Sequence, residues 1–494
     1  MLSNEITKFL NLTNNPSSFD QQTDEDINLH ETFEFIDHTT SAFGKQYFCK
    51  HFLSKNNEFE CDKLATDIKI LTKDALLINK IKAKLDKANS YKNYFLIDLL
   101  YDKLSIKKRL IYLSIVPIIL YALGIVGLIL KNELITFLVL AFCINIYFYV
   151  WCKQQILYSM YGLMSLKYFL KLHNFIIENT RGILIHPQKK LKTFWLQKLL
   201  SVLNLQFGKE ALDIIVTSII EIIKCASNIE FFSYLFCRKS IINNRSQLIK
   251  MYKNIGYVDM LISIDELQQK YNMCKPEFTN DITQIRIYEG THPLISNCKA
   301  NSYIPKSKDS LVTGANMSGK TIYLKQIALN IILAQKINLC FAKKAIIPNV
   351  PVYTYLNIND NLLKGKSYYY RELERINDII ERCKSKPGLI ILDEIFKGTN
   401  RNEQISMGYS VLKYLSNTGS SVIATTHDIQ LLESVKNFNN YYFEMKESSD
   451  DFSFDHIVKE GKTVPINAIK LAEKTNLPNV IIEQARETYE KLTN

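Results

Sequence analysis

The chain has 494 residues, 47% hydrophobic and 22% charged, and carries a net charge of +12. That balance excludes a disordered or low-complexity chain, and the length allows about three domains with large cores. The ten cysteines include no Cys-x-x-Cys pair, which argues against a zinc site and for a reducing compartment.

The basic surplus has two readings, a solvated lysine-rich surface or a face for nucleic acid or an anionic membrane. Met1 to Gln22 is polar, so no cleavable signal is expected, and residues 1–27 read as a polar N-terminal arm. From Asn28 the spacing of Phe33, Ile36, Phe43, Phe48, Phe52 and Leu53 predicts helices, broken by a cap at Thr39-Thr40-Ser41. A second helical run, KLATDIKILTKDALLINKIKAKL, completes a helical region over 28–109.

The composition then changes. Leu110 to Leu130 is 21 residues without a charge, and Leu134 to Trp151 is uncharged with Asn145 as its one strongly polar residue. Each run is of a length to cross a hydrocarbon core as a helix. Lys107, Lys108, Arg109 and Lys153 flank the runs, and Tyr147, Tyr149 and Trp151 suit an interfacial belt. Residues 110–151 therefore read as a two-helix transmembrane hairpin touching membrane lipid, with both ends on the cytoplasmic side. The competing reading is a pair of buried helices in a bundle. Residues 152–284 return to long helices, and from Ile285 short β-like runs (IRIYEG, DSLVTG, GLIILDE, SSVIATTHD) alternate with helices. That alternation is the pattern of a mostly parallel, doubly wound sheet.

Three motifs carry the chemistry. Ser310 to Thr321 reads SLVTGANMSGKT, a strand, a glycine loop and the start of a helix. Gly314 and Gly319 let the backbone wrap an anion, and the amides from Gly314 through Ala315, Asn316, Met317, Ser318 and Gly319 can face a phosphate. Lys320 can reach the β- and γ-phosphates, and Thr321 can ligate Mg²⁺. This is a nucleoside triphosphate site. In GLIILDEIFKGTN, residues 388–400, an apolar strand delivers Asp393 to hold Mg²⁺ and Glu394 to orient or activate water. In SSVIATTHD, residues 420–428, another strand ends in His427, placed to sense the γ-phosphate.

TGANMSGKT, LDEIFKGT and ATTHD, in this order and spacing, resemble the ATPase domain of the MutS family of DNA mismatch-repair proteins, with Asn316-Met317 the more specific part of the loop. EGTHPLI (289–295) resembles the start of that domain. GKSYYYREL (365–373) resembles its signature segment, with Ser367 and Glu372 at matching positions. Residues 464–492 resemble the family's C-terminal helical dimerisation segment. HETFEFIDHTTSAFGKQYFCKHFL is similar to the start of the family's core domain, and residues 255–278 to its lever helix.

The resemblance implies an ABC-type, MutS-like α/β P-loop ATPase domain over 285–460 and a dimerisation segment over 461–494. An all-α core and lever domain (28–109 and 152–284) would precede them, carrying the hairpin. It implies ATP and Mg²⁺ as cofactors, Glu394, His427 and Lys320 as catalytic groups, and Thr321 and Asp393 on the metal. It further implies Tyr303 stacked on adenine, Ser367 reaching the nucleotide of an opposing subunit in a homodimer, and DNA as a partner.

The chain departs from the family in Ser318 within the loop and in Phe396-Lys397 after the acidic pair. Twenty-seven residues before the core leave no room for the mismatch-reading and connector domains, so mismatch recognition is not expected. The alternative is an ABC-type ATPase acting on a membrane or protein partner without DNA, although no LSGGQ-like segment is present.

Overall fold

The computed structural model describes the chain apart from residues 1–3, 13–18, 20, 55–60, 102–107, 131–135, 181–182, 184–215, 217, 221, 224, 226–227, 316, 357–367, 448–451, 463–476 and 494. In chain order the first helices are α1 (Asn4–Leu12), α2 (Gln21–Asp26), α3 (Leu29–Ile36), α4 (Ala42–Leu53), α5 (Cys61–Leu71) and α6 (Ala75–Asp86). There follow α7 (Tyr91–Tyr94), α8 (Leu96–Tyr101), α9 (Lys108–Leu130), α10 (Thr136–Asn179), α11 (Ile229–Asn243) and α12 (Arg245–Tyr271). The chain divides into two compact units, each assembled from separated segments. One comprises Met1–Pro16, Asp37–Ser54 and Thr66–Asp265; the other comprises Ser17–Ile36, Lys55–Ala65 and Glu266–Asn494.

The first unit is helical. Its core gathers the spaced aromatics of α4 and α12: Phe43, Phe48, Phe52, Tyr252 and Tyr257 are all buried. Phe43 meets the Phe169 ring edge-on at 5.6 Å and the Tyr252 ring at 5.9 Å. Close approach of these helices needs glycine at two points. A Cβ on Gly256 would strike Tyr47, and one on Gly44 would strike Asp259.

Asp259 fixes the start of α4. Its Oδ2 accepts from Ser41 N (2.8 Å) and Ser41 Oγ (2.5 Å), and its Oδ1 accepts from Thr40 N (2.9 Å). Ser41 Oγ in turn accepts from Gly44 N at 3.0 Å, the N-cap bond that the Thr-Thr-Ser stretch predicts. Further along, the single helical run expected before residue 86 is two helices. Asp74 caps the second, accepting from Leu77 N at 3.0 Å.

The uncharged runs form α9 and part of α10, which pack as a pair, with Gly124 against Leu138. Among the described residues, no helix is long and apolar enough to cross a membrane. The second apolar run lies in α10 from Thr136 to Trp151. α10 then continues through Lys153 and Lys167 to Asn179 as one helix of 44 residues. The transmembrane hairpin, its lipid contact and the membrane location built on it are therefore withdrawn.

The second unit holds two sheets. In chain order its strands are β1 (Glu277–Thr279), β2 (Arg286–Gly290), β3 (Asn301–Tyr303), β4 (Ser310–Thr313), β5 (Lys344–Pro348) and β6 (Val352–Tyr355). They continue with β7 (Leu389–Asp393), β8 (Ser421–Thr425), β9 (Asn439–Glu447) and β10 (Phe452–Glu460). The larger sheet has the order β10-β9-β4-β8-β7-β6, parallel except for the antiparallel β9–β10 edge. A smaller sheet has the order β1-β5-β2-β3. Its helices are α13 (Lys320–Ile337), α14 (Tyr368–Ser385), α15 (Arg401–Ser416), α16 (Ile429–Ser434) and α17 (Asn479–Thr493). β4, β7 and β8 are buried along their lengths, which is why they read as continuous apolar runs.

Residues 17–36 fold with this unit rather than as a polar arm. Asp26 at the end of α2 is 1% exposed and accepts from Thr354 Oγ1 (2.9 Å) and Leu356 N (3.1 Å). Asn28 accepts from Lys325 Nζ at 2.8 Å, on the helix that follows the glycine loop.

Candidate nucleotide site

Three adjacent strands end together. β8 lies between β4 and β7, and its register pairs Thr425 with Val312 on one side and Asp393 on the other. The loop leaving β4, the acidic pair leaving β7 and the segment leaving β8 thus share one edge, the usual ligand position in such sheets.

The loop backbone is demanding. Gly314 has φ +150°, Met317 +69° and Gly319 +111°. A Cβ on Gly314 would lie 2.8 Å from Ser318 Oγ and 3.1 Å from Phe443 Cβ, so the turn tolerates only glycine there. Ser318 Oγ is buried and has no hydrogen-bond partner among the described residues. A phosphate oxygen is a fitting acceptor for it. Ala315 lies in the loop with its carbonyl turned to Lys320, and Met317 is 88% exposed. Asn316 lies outside the described residues.

Lys320, 5% exposed, donates from Nζ to Gly314 O (2.7 Å) and Ala315 O (3.2 Å) and pairs with Glu394 Oε1 at 3.3 Å. Thr321 Oγ1 donates to Asp393 Oδ2 at 2.6 Å, and Thr425 Oγ1 donates to Asp393 Oδ1. Thr321 and Asp393 together supply hard oxygen donors beside the phosphate loop, the set Mg²⁺ takes alongside nucleotide phosphates. Among the described residues no cluster of three or more His, Cys, Asp or Glu offers another metal site.

Glu394 is held in a left-handed conformation, φ +46°, and its amide donates to Thr425 Oγ1 at 3.0 Å. Phe396, two residues on, has φ +63°. Non-glycine residues rarely accept such angles, so the turn after β7 stores strain where the carboxylate is aimed. Glu394 Oε2 meets Lys397 Nζ at 2.8 Å and His427 Nδ1 at 3.4 Å. Burial opposes its ionisation. The hydrogen bonds from His427 and Lys397, with the charges of Lys320 and Lys397, outweigh that and hold its carboxyl well below the usual range.

Lys320, Thr321, Asp393, Glu394 and His427 are thus brought together. Tyr303 is not with them. It is 1% exposed, its hydroxyl lies 3.1 Å from Ser310 Oγ, and its ring packs near Tyr323 and Tyr441. That environment makes it a core residue rather than a stacking surface. Ser367 lies outside the described residues. Its neighbour in the signature-like segment, Glu372, is fully buried, accepting from Tyr355 OH at 2.5 Å and from Gly398 N at 3.4 Å. It thereby ties α14 to the turn that follows the acidic pair.

Sequence reasoning missed Thr425 and His456. Thr425 is the shared partner of Asp393 and Glu394, and the strand register alone selects it. His456 sits in β10 at φ +54°, and its Nδ1 donates to Ser318 O at 3.0 Å, while Phe443 of β9 closes on Gly314. The β9–β10 hairpin is legible in NNYYFEMKE and FSFDHIVKE, but only its pairing with β4 brings it to the loop.

The sheet order, glycine loop and acidic pair define a P-loop nucleotide-binding domain. Residues 310–493 match the family model described as MutS domain V. Curated relatives named DNA mismatch repair protein MutS include those of Aquifex pyrophilus (28% identical over 278 residues, 54% of this chain and 32% of that protein) and Bacillus licheniformis (30% over 283 residues, 54% and 32%). The protein of Lactococcus lactis subsp. lactis is 26% identical over 302 residues, 58% of this chain and 36% of that protein. Over the matched residues the chain is similar to MutS proteins. It spans about a third of the length of the curated relatives it matches.

Proposed function

We propose that this chain binds ATP with Mg²⁺, hydrolyses it, and works as a homodimer of MutS type whose turnover is coupled to DNA. The reading rests on one observation: Lys320, Thr321, Asp393 and Glu394 meet in a single set of hydrogen bonds and ion pairs beside the glycine loop. The amides from Gly314 to Gly319 bind the phosphates. Thr321 and Asp393 hold Mg²⁺, which when bound neutralises charge on the β- and γ-phosphates. Asp393 is kept in position by Thr425.

Lys320 exchanges its contact with Glu394 for a phosphate oxygen. Glu394 stays ionised and orients or activates the attacking water. His427, half exposed and in contact with Glu394, reports the γ-phosphate to the acidic turn. Ser367 of a second copy completes the site across the dimer. DNA is held through phosphate contacts by basic residues without sequence preference. Mismatch recognition forms no part of the proposal.

The test is the ATPase rate of the full chain with Mg²⁺, alone and with homoduplex, mismatched or single-stranded DNA. Stimulation by DNA supports the coupling. Turnover indifferent to every DNA transfers the engine to a protein partner, and no turnover under any condition ends the ATPase assignment.

A further inference from the structure

The ten cysteines form no motif along the chain, but the second unit sets two of them opposite each other. Cys274 lies between α12 and β1, and Cys340 follows α13, the helix that starts at the phosphate loop. They form an antiparallel β-bridge in which Cys274 N donates to Cys340 O at 3.0 Å and Cys340 N donates to Cys274 O at 2.9 Å. Residues that exchange both bonds stand about 5.5 Å apart at Cα, with their side chains on one face. A disulfide spans Cα separations of about 4.4–6.8 Å, so the backbone already has the spacing of a cross-strand bridge. Three rings hold the two segments together. Tyr271 and Phe341 meet at 5.9 Å, and Phe35 packs against them at 5.0 Å and 6.1 Å.

Both cysteines are free thiols, and their surroundings differ: Cys274 is half-buried, whereas Cys340 is fully buried. A thiol has one proton to give. Cys340 offers its proton either to Asn330 O, 3.4 Å away, or to the Cys274 sulfur. The second bond draws the Cys274 thiol below its usual range, by more than burial raises it. Burial pushes the Cys340 thiol well above that range and keeps it protonated. The pair thus divides into an attacking sulfur on the more open side and a protonated partner behind it, the division that a two-cysteine oxidation needs.

We propose that Cys274 and Cys340 are a redox modification site, oxidised by a hydroperoxide to a reversible disulfide. The Cys274 thiolate attacks one oxygen of the peroxide. The O–O bond breaks, Cys274 becomes a sulfenic acid, and the hydroxide that leaves takes up the proton Cys274 gave to solvent. The Cys340 sulfur then attacks the Cys274 sulfur. The S–S bond forms, the S–O bond breaks, and the hydroxyl departs as water with the Cys340 proton. In all, two thiols lose two electrons and hydrogen peroxide becomes two waters. The crosslink ties the end of α13 to the start of β1 and closes a stretch of chain that contains the phosphate loop, while Lys320 and Thr321 lie at the opposite end of α13. The proposal stands apart from the reading of the nucleotide site.

Mass spectrometry of the full chain tests this. The folded, reduced protein is treated with hydrogen peroxide, its remaining thiols are alkylated, and it is digested with trypsin without reductant. The expected product joins the peptides of residues 271–286 and 337–343, two hydrogens lighter than their sum, and dithiothreitol separates them again. Cys340→Ala removes the second sulfur, so dimedone present during oxidation should trap Cys274 as the sulfenic acid. In Cys274→Ala, whose substitution is at a half-buried position and leaves the core intact, Cys340 should remain unlabelled. Three results would each overturn the proposal: no joined peptide at peroxide doses that oxidise the other cysteines, a joined peptide that forms only in denaturant, or dimedone labelling of Cys340 in folded Cys274→Ala.

Discussion

Asp393 and Glu394 are neighbours with different tasks, and β7 separates them by pointing one at Thr321 and Thr425 and turning the other through a strained φ toward Lys320. Because Glu394 acts on water and not on the phosphate grip, Glu394→Gln should leave ATP binding within a few-fold of the parent and slow hydrolysis by about a hundredfold or more. Equilibrium binding of a fluorescent ATP analogue, set beside single-turnover rates, checks both halves. A variant that hydrolyses at the parent rate removes Glu394 from the reaction. The motifs made these residues legible because a phosphate loop needs glycine, lysine and a hydroxyl at fixed spacing. Thr425 was not legible, because an interior threonine in an apolar strand gains its role only from the register with Asp393. Tyr303 misled for the converse reason. An aromatic ring near a loop looks the same in sequence whether it faces a ligand or the core.

At the level of elements, two buried carboxylates join segments far apart in the chain. Asp26 secures α2 to β6, so Asp26→Ala should cost roughly 2–6 kcal/mol, about one to three for each of the two buried groups it leaves unpaired. Chemical denaturation of the second unit, followed through nucleotide binding, is the readout, and an unchanged midpoint would make α2 an ornament.

Asp259 secures α4 to α12. Burial raises its pKa from 3.8 to about 6, more than the bonds from Ser41 and Thr40 lower it. The folded carboxyl therefore takes up a proton at a pH where the unfolded one does not. Stability from this group is fully present below about pH 4 and declines as pH rises through about 6, by up to about 3 kcal/mol. Asp259→Asn, whose amide NH₂ would face at least one of the Thr40 and Ser41 donors, should lose roughly 1–3 kcal/mol at pH 7 and lose this slope. Melting curves of both proteins from pH 4 to pH 8 compare them; parallel curves would mean that Asp259 does not titrate in this window.

For the whole molecule, the net charge of +12 is the property that bears on DNA. If basic side chains neutralise six or more phosphates, affinity should fall about a thousandfold or more between roughly 50 and 200 mM salt, with little difference between homoduplex and mismatched DNA. Fluorescence anisotropy across that range measures the slope. A flat dependence would return the lysines to the role of a solvated surface.

The sequence by itself determined the α/β pattern after residue 285, the phosphate loop, the acidic pair and the helical character of what precedes them. These depend on residue spacing within a few turns or a single strand, and local sterics enforce them. Only the tertiary structure decided that residues 17–36 fold with the nucleotide-binding unit and that the β9–β10 hairpin brings His456 to the loop. It also decided that Tyr303 is core. Each of these depends on a partner tens to hundreds of residues away. The uncharged runs show the same limit: composition alone made them read as spans, and among the described residues no helix is long and apolar enough to cross a membrane.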